Sequence, residues 1–122
     1  MTTWQTSPAV QQPRPPLIVA SHGDRGLRVT ARHADGWNSL GGQPYPLPDV
    51  SALVTLPEAV AETKRLSQRL DGFCQKVGRD PTTVRRSVQA LNPVPDPFAS
   101  LEAFDEYVGS YQEIGIDELI FY

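Results

Sequence analysis

Apolar residues recur along this chain in two rhythms. Leu17-Ile18-Val19-Ala20 is an unbroken apolar run, bounded by Pro15-Pro16 before it and Ser21-His22-Gly23 after it, the pattern of a strand buried on both faces of a parallel sheet. Asp24 is placed to cap a helix from Arg25 to about His33, with Leu27, Ala31 and Ala34 on one apolar stripe and Arg25, Arg28 and Arg32 facing water. Thr55 and Glu58 form a capping box with Pro57 in the first turn. Leu66, Leu70, Phe73 and Val77 then recur at helical spacing, and Gly78 supplies the stop. Asp80-Pro81 marks a turn, and Arg86 to Leu91 reads as a strand. Ser100 caps a last helix with Leu101, Phe104, Val108 and Tyr111 on one face and Gly115 at its end, and Glu118 to Tyr122 forms a final strand.

The segments between these elements complete the outline. Ala34-Asp35-Gly36-Trp37-Asn38 fits a short strand, although periodicity alone does not separate it from a loop. Residues 39–55 carry Gly41-Gly42, Pro44, Pro46 and Pro48, too many breakers for regular structure, and form a long excursion of the kind that barrels place over a site. Residues 92–97 are another proline-bearing loop. Residues 1–16, ending in Pro13-Arg14-Pro15-Pro16, read as an extended lead-in to a folded unit over 17–122. Strands joined through helices need crossover connections, so the expected class is α/β with parallel, right-handed βαβ units.

Size and charge narrow this outline. At 122 residues the chain is well short of the roughly 250 typical of a complete α/β barrel, and no helix is expected after the last strand; both point to part of a larger fold. A net charge of −3 and scattered arginines, including the adjacent Arg85-Arg86, disfavour a general polyanion-binding role and nucleic acid as a partner. The single cysteine, Cys74, excludes an internal disulfide and is expected to serve packing. Two histidines and one cysteine, far apart, lack metal-ligand spacing. Neither a secretory leader nor a membrane-spanning apolar stretch is evident, so a cytoplasmic protein without a membrane partner is expected.

The string PRPPLIVASHGDRGLRVTARHADGWN at residues 13–38 resembles the signature stretch of the luciferase-like monooxygenase family, in which an apolar strand leads through a glycine-bearing turn and a basic helix to an ADGWN-type strand. LDGFCQKVGRDPTTVRRS and YQEIGIDELIFY are similar to the same family in the same order. The resemblance runs from about Pro13 onward and covers the C-terminal half of that family's barrel. It implies a partial (β/α)8 TIM barrel, roughly its last four strands, with 34–38 as a strand. It further implies an oxidoreductase or monooxygenase using FMN or the deazaflavin coenzyme F-420. The reactions implied are hydride transfer or oxygen-dependent oxidation of a small organic substrate, of the CH-OH, CH-NH or paired-donor type. A half pocket is expected to be inactive alone. The alternative is a binding or assembly module that forms a homodimer or complements a separate N-terminal half.

The resemblance assigns Ser21, His22 and Gly23 to the cofactor's phosphate side, where a helix N-terminus offers amide donors and a positive dipole end and Arg25 adds charge. Asp24 departs from the family pattern, because an anion beside a phosphate is unfavourable unless its carboxylate turns away. His22 is either a hydrogen-bond donor or proton exchanger at the site or a loop histidine satisfied by backbone. Trp37 and Asn38 end the second strand, so the indole either walls the cofactor pocket or belongs to the core, while the amide reaches a polar edge. His33 at a helix end and Glu113, Asp117 and Glu118 near the last junction are read as structural, capping or solvated groups.

Overall fold

The computed structural model describes residues 14–44, 52–90, 93 and 95–121. The sequence expectations for residues 1–13, the centre of the excursion at 45–51, Leu91, Asn92 and Tyr122 lie outside the described residues. The elements run β1 (Ile18–Ala20), α1 (Asp24–His33), β2 (Gly36–Ser39), α2 (Leu56–Lys76), β3 (Arg85–Gln89), α3 (Leu101–Glu113) and β4 (Glu118–Ile120), with a 3-10 turn at Pro81–Thr83. The four strands form one parallel sheet in chain order, paired through Val19↔Trp37, Trp37↔Arg86 and Val88↔Leu119. The expected α/β class with βαβ connections is what the structure contains.

Strand side chains alternate between faces, and one face carries the whole helical layer. Trp37 packs with Leu27 and Ala31 of α1 and with Leu66, Leu70, Phe73 and Cys74 of α2. Val88 packs with Leu56, Tyr107, Tyr111 and Ile116. Burying a side chain such as Leu70 contributes about 1.5–3 kcal/mol. Ile18, Ala20, Asn38, Ser87, Glu118 and Ile120 take the opposite face by the strand register, and among the described residues no helix packs there.

Four expectations need correction. First, β1 is not buried on both faces: it is an edge strand among the described residues, Ile18 is 65% exposed and Leu17 is also exposed, because its described strand neighbour lies on one side only and no described helix packs on the second face. Second, Gly23 takes the N-cap position of α1, and Asp24 sits inside the first turn. Third, Val77 lies at the C-cap of α2 and is exposed. Leu101 is 81% exposed, so the buried face of α3 is built on Tyr107 and Tyr111, with Phe104 half-buried. Fourth, Arg86 is an exception to the arginines expected on solvated faces. Arg86 points to the helix side, is 8% exposed, and bonds Ser67 through its carbonyl (2.9 Å) and hydroxyl (2.6 Å), Pro81 C=O (3.1 Å) and the Asp71 carboxylate (2.6 Å).

The capping box at Thr55 forms as expected. The Thr55 side chain accepts from the Glu58 amide, and its hydroxyl donates to the Glu58 carboxylate at 3.0 Å. Ser100 caps α3 by accepting from Ala103 N–H at 3.0 Å. Cys74 is fully buried in the α1–α2 core, and burial pushes its thiol pKa up.

Candidate functional site

The carboxyl ends of parallel strands, with the loops that leave them, are where open α/β sheets and α/β barrels gather ligand-binding groups. Here that end is built by the β1–α1 turn, the β2–α2 excursion and the β3–α3 loop. The β1–α1 turn is held from three sides. Ser21 N–H donates to Asn38 C=O at 3.2 Å, the Trp37 indole N–H donates to Ser21 C=O at 2.8 Å, and the Ser21 hydroxyl lies 3.1 Å from that of Thr30 in α1. A Cβ on Gly26 would come within 2.6 Å of Ser21 Cβ, so the absence of a side chain lets the first turn of α1 close onto the turn.

The first intrahelical bond of α1 runs from Leu27 N–H to Gly23 C=O at 3.0 Å. The amides of Asp24, Arg25 and Gly26 precede it and form the donor end of the helix. Gly23 faces open space, with nothing within 4 Å of where a Cβ would stand, and Arg25 is exposed beside it. Asp24 turns away from this end: its carboxylate is gripped in two-point fashion by the Arg69 guanidinium of α2. That hydrogen bonding holds its pKa below the usual carboxylate range.

The excursion is anchored at its stem. Gly41 and Gly42 both have positive φ, and a Cβ on Gly42 would lie 2.0 Å from Ala59 O, so only glycine fits against α2 there. The Tyr111 hydroxyl donates to Gly41 C=O at 2.6 Å, and burial pushes its pKa far up, keeping it a donor. The Gln43 side chain closes the stem by donating to Val54 C=O (3.1 Å) and accepting from Val54 N–H (2.9 Å).

These anchors frame a cleft of about 320 Å³ bordered by His22, Ser39, Gln43, Pro44, Glu62 and Leu66. Glu62 is paired with Arg65 at 2.6 Å, which lowers its pKa. A larger concavity of about 510 Å³ lies at the amino ends of the strands on the uncovered face, between Arg14, Ile18, Gly36, Arg85 and Glu118. We place the candidate site at the smaller cleft, because His22 of the β1–α1 turn lines it at the carboxyl end of the sheet, whereas the larger hollow lies at the amino ends of the strands.

The sequence-derived candidates divide by position. His22, Gly23 and Arg25 are exposed together at the turn. Ser21 is buried and its hydroxyl engages Thr30. Asn38 lies on the face opposite the helices and is buried there, its amide donating to Ser87 Oγ at 2.9 Å while Ser87 in turn donates to Trp37 C=O at 3.2 Å. Trp37 is 0% exposed on the helix side. It is core, leaves no surface for a ligand, and acts on the turn through its bond to Ser21. Asp117 accepts from Arg86 N–H at 2.8 Å and so serves the β3–β4 junction. Sequence reasoning did not single out Gly26, Gln43, Glu62 or Ser87. The second glycine of SHGDRG was a visible signal for Gly26, whereas the others meet the site only through tertiary packing.

Among the described residues no His, Cys, Asp and Glu groups are placed to hold a metal ion, and no helix is long and apolar enough to cross a membrane. No protein-family model and no curated protein matches the sequence.

Proposed function

We propose that this chain is half of a (β/α)8-barrel oxidoreductase of the luciferase-like monooxygenase type, holding FMN or the deazaflavin coenzyme F-420 at the carboxyl ends of its strands. The observation that carries this reading is the sheet itself: four parallel strands in unbroken chain order, with the described helices on one face. Doubly wound sheets reverse strand order and cover both faces, whereas unbroken order with one helical layer is the arrangement a barrel repeats.

The β1–α1 turn supports an anion-holding role. Helix donor amides, the space at Gly23 and the charge of Arg25 suit a cofactor phosphate, and the opposing carboxylates are each paired, Asp24 with Arg69 and Glu62 of the cleft with Arg65. The bound coenzyme would supply the redox chemistry. The chain's own residues would hold the phosphate at 23–26, offer the Asn38 and Ser87 polar groups on the uncovered face, and present the His22 imidazole, which can donate a hydrogen bond or exchange a proton near neutral pH. An uncovered face admits water to a pocket that hydride transfer needs closed, so turnover of a small organic substrate is expected only once a second half covers it.

Equilibrium dialysis against FMN and, separately, F-420 tests the reading. Saturable uptake of one coenzyme, weakened at least several-fold in Arg25→Glu, is expected. Absence of uptake of either coenzyme by the folded protein would refute it.

A further inference from the structure

The two edges of the sheet complement one another. The acids of α3 are Glu102, Asp105, Glu106 and Glu113, and this helix carries no lysine or arginine; Asp117 and Glu118 beyond it are engaged by the Arg86 amide and the Arg85 side chain. At the other edge α1 carries Arg25, Arg28 and Arg32, and its one acid, Asp24, is already held by Arg69. Exposed apolar side chains follow the same division. Leu17, Ile18 and Val29 lie on the β1–α1 side, and Phe98, Leu101 and Ile120 lie on the β4–α3 side.

We propose that a second copy of this chain closes the sheet, β4 of each copy pairing in parallel with β1 of the other about a twofold axis to give an eight-stranded ring. The count of eight rests on the half-barrel reading, to which this adds the identity of the partner. The backbone supports a definite register. Ser21 N–H and Leu17 C=O bond β2 or its flank, so by alternation the Ile18 and Ala20 peptide groups turn outward. Ile120 C=O accepts from Ala90 N–H, so those of Leu119 turn outward at β4. Pairing Leu119 with Val19 of the second copy lets Leu119 N–H donate to Ile18 C=O and lets Ala20 N–H donate to Leu119 C=O. It also brings Ile120 beside Ala20 on the inner face. Pairing like edges, β1 with β1 or β4 with β4, would instead set basic flank against basic flank or acid against acid, which is unfavourable. Two unlike edges on one chain give a contact that closes at two copies only if the rotation is twofold, and otherwise grow an open array.

The test is the mass in solution by light scattering. The chain is expected at twice 13.4 kDa. Ala20→Pro removes an outward amide that the chain's own sheet does not use and is expected to run at the single-chain mass with unchanged far-ultraviolet circular dichroism. Should that variant fail to fold, charge reversal decides. Glu102→Lys with Glu106→Lys in one preparation, and Arg25→Glu with Arg32→Glu in another, should each run as single chains, and an equimolar mixture should recover the double mass. A single-chain mass for the unaltered protein, a series of growing masses, or a dimer indifferent to both kinds of variant would overturn the proposal. A monomer that binds a coenzyme would sink the pairing and leave the proposed function standing; a dimer that binds neither would do the reverse.

Discussion

A methyl group at Gly26 would press on the Cβ of Ser21 at 2.6 Å, and Ser21 cannot yield because its backbone is tied to Asn38 and Trp37. Gly26→Ala is therefore expected to destabilise the fold by about 1–3 kcal/mol, the usual cost of overpacking, even though alanine favours helix. Gly23→Ala, into open space, should cost no more than the N-cap preference of glycine over alanine, about 1 kcal/mol or less; a loss at Gly23 larger than at Gly26 would contradict the packing account. Charge at this turn has a pH signature. Hydrogen bonds from Arg69 to Asp24, and from Leu17 N–H and Arg14 to Asp35, lower the folded-state pKa of each carboxyl. A group depressed on folding stabilises in full above its unfolded value, about 4, and loses that contribution as pH falls through the folded one. Unfolding midpoints should be flat near neutrality and drop below about pH 4, and Asp24→Asn should show a shallower acid slope. Superimposable acid limbs for the two proteins would contradict the pairing.

Elements with a local signal were legible in the sequence. The caps at Thr55 and Ser100, the apolar spacing of Leu66, Leu70 and Phe73, and the glycine stops are chemistry within one or two turns, and they placed α2 and α3 closely. Thr55→Ala should cost about 1 kcal/mol in a urea titration; an unchanged midpoint would contradict the cap described. What local pattern could not supply was which strand lies at an edge. Leu17–Ala20 is apolar enough to read as doubly buried, but burial depends on neighbours far along the chain. Arg86 was hidden for the same reason: nothing adjacent in sequence announces that Ser67, Pro81 and Asp71 converge on it. Asp24 read as a cap because its type fits one, and its actual partner, Arg69, lies 45 residues away.

At the scale of the whole molecule, the described helices form a single layer on one face of a parallel sheet and none of them packs on the other, and the functional reading follows from that. The turn at 21–26 and the cleft beside it occupy the carboxyl end of the sheet, and the α1–α2 groove with Phe73 flanked by Arg28, Arg69 and Lys76 lies on the helical side. The α1–α2 surface, with Arg28, Arg32, Arg69 and Lys76, can attract a phosphorylated coenzyme by charge alone, so the position of binding discriminates where its mere occurrence does not. The decisive measurement is an amide chemical-shift titration of the isotope-labelled protein with FMN and with F-420. Saturable shifts centred on the amides of Gly23, Asp24, Arg25 and Gly26, with His22 and Asn38 following, are expected for one of the two coenzymes. Shifts confined to the Arg28, Arg32 and Lys76 surface, or none that saturate, would contradict a cofactor site at the carboxyl end of the sheet.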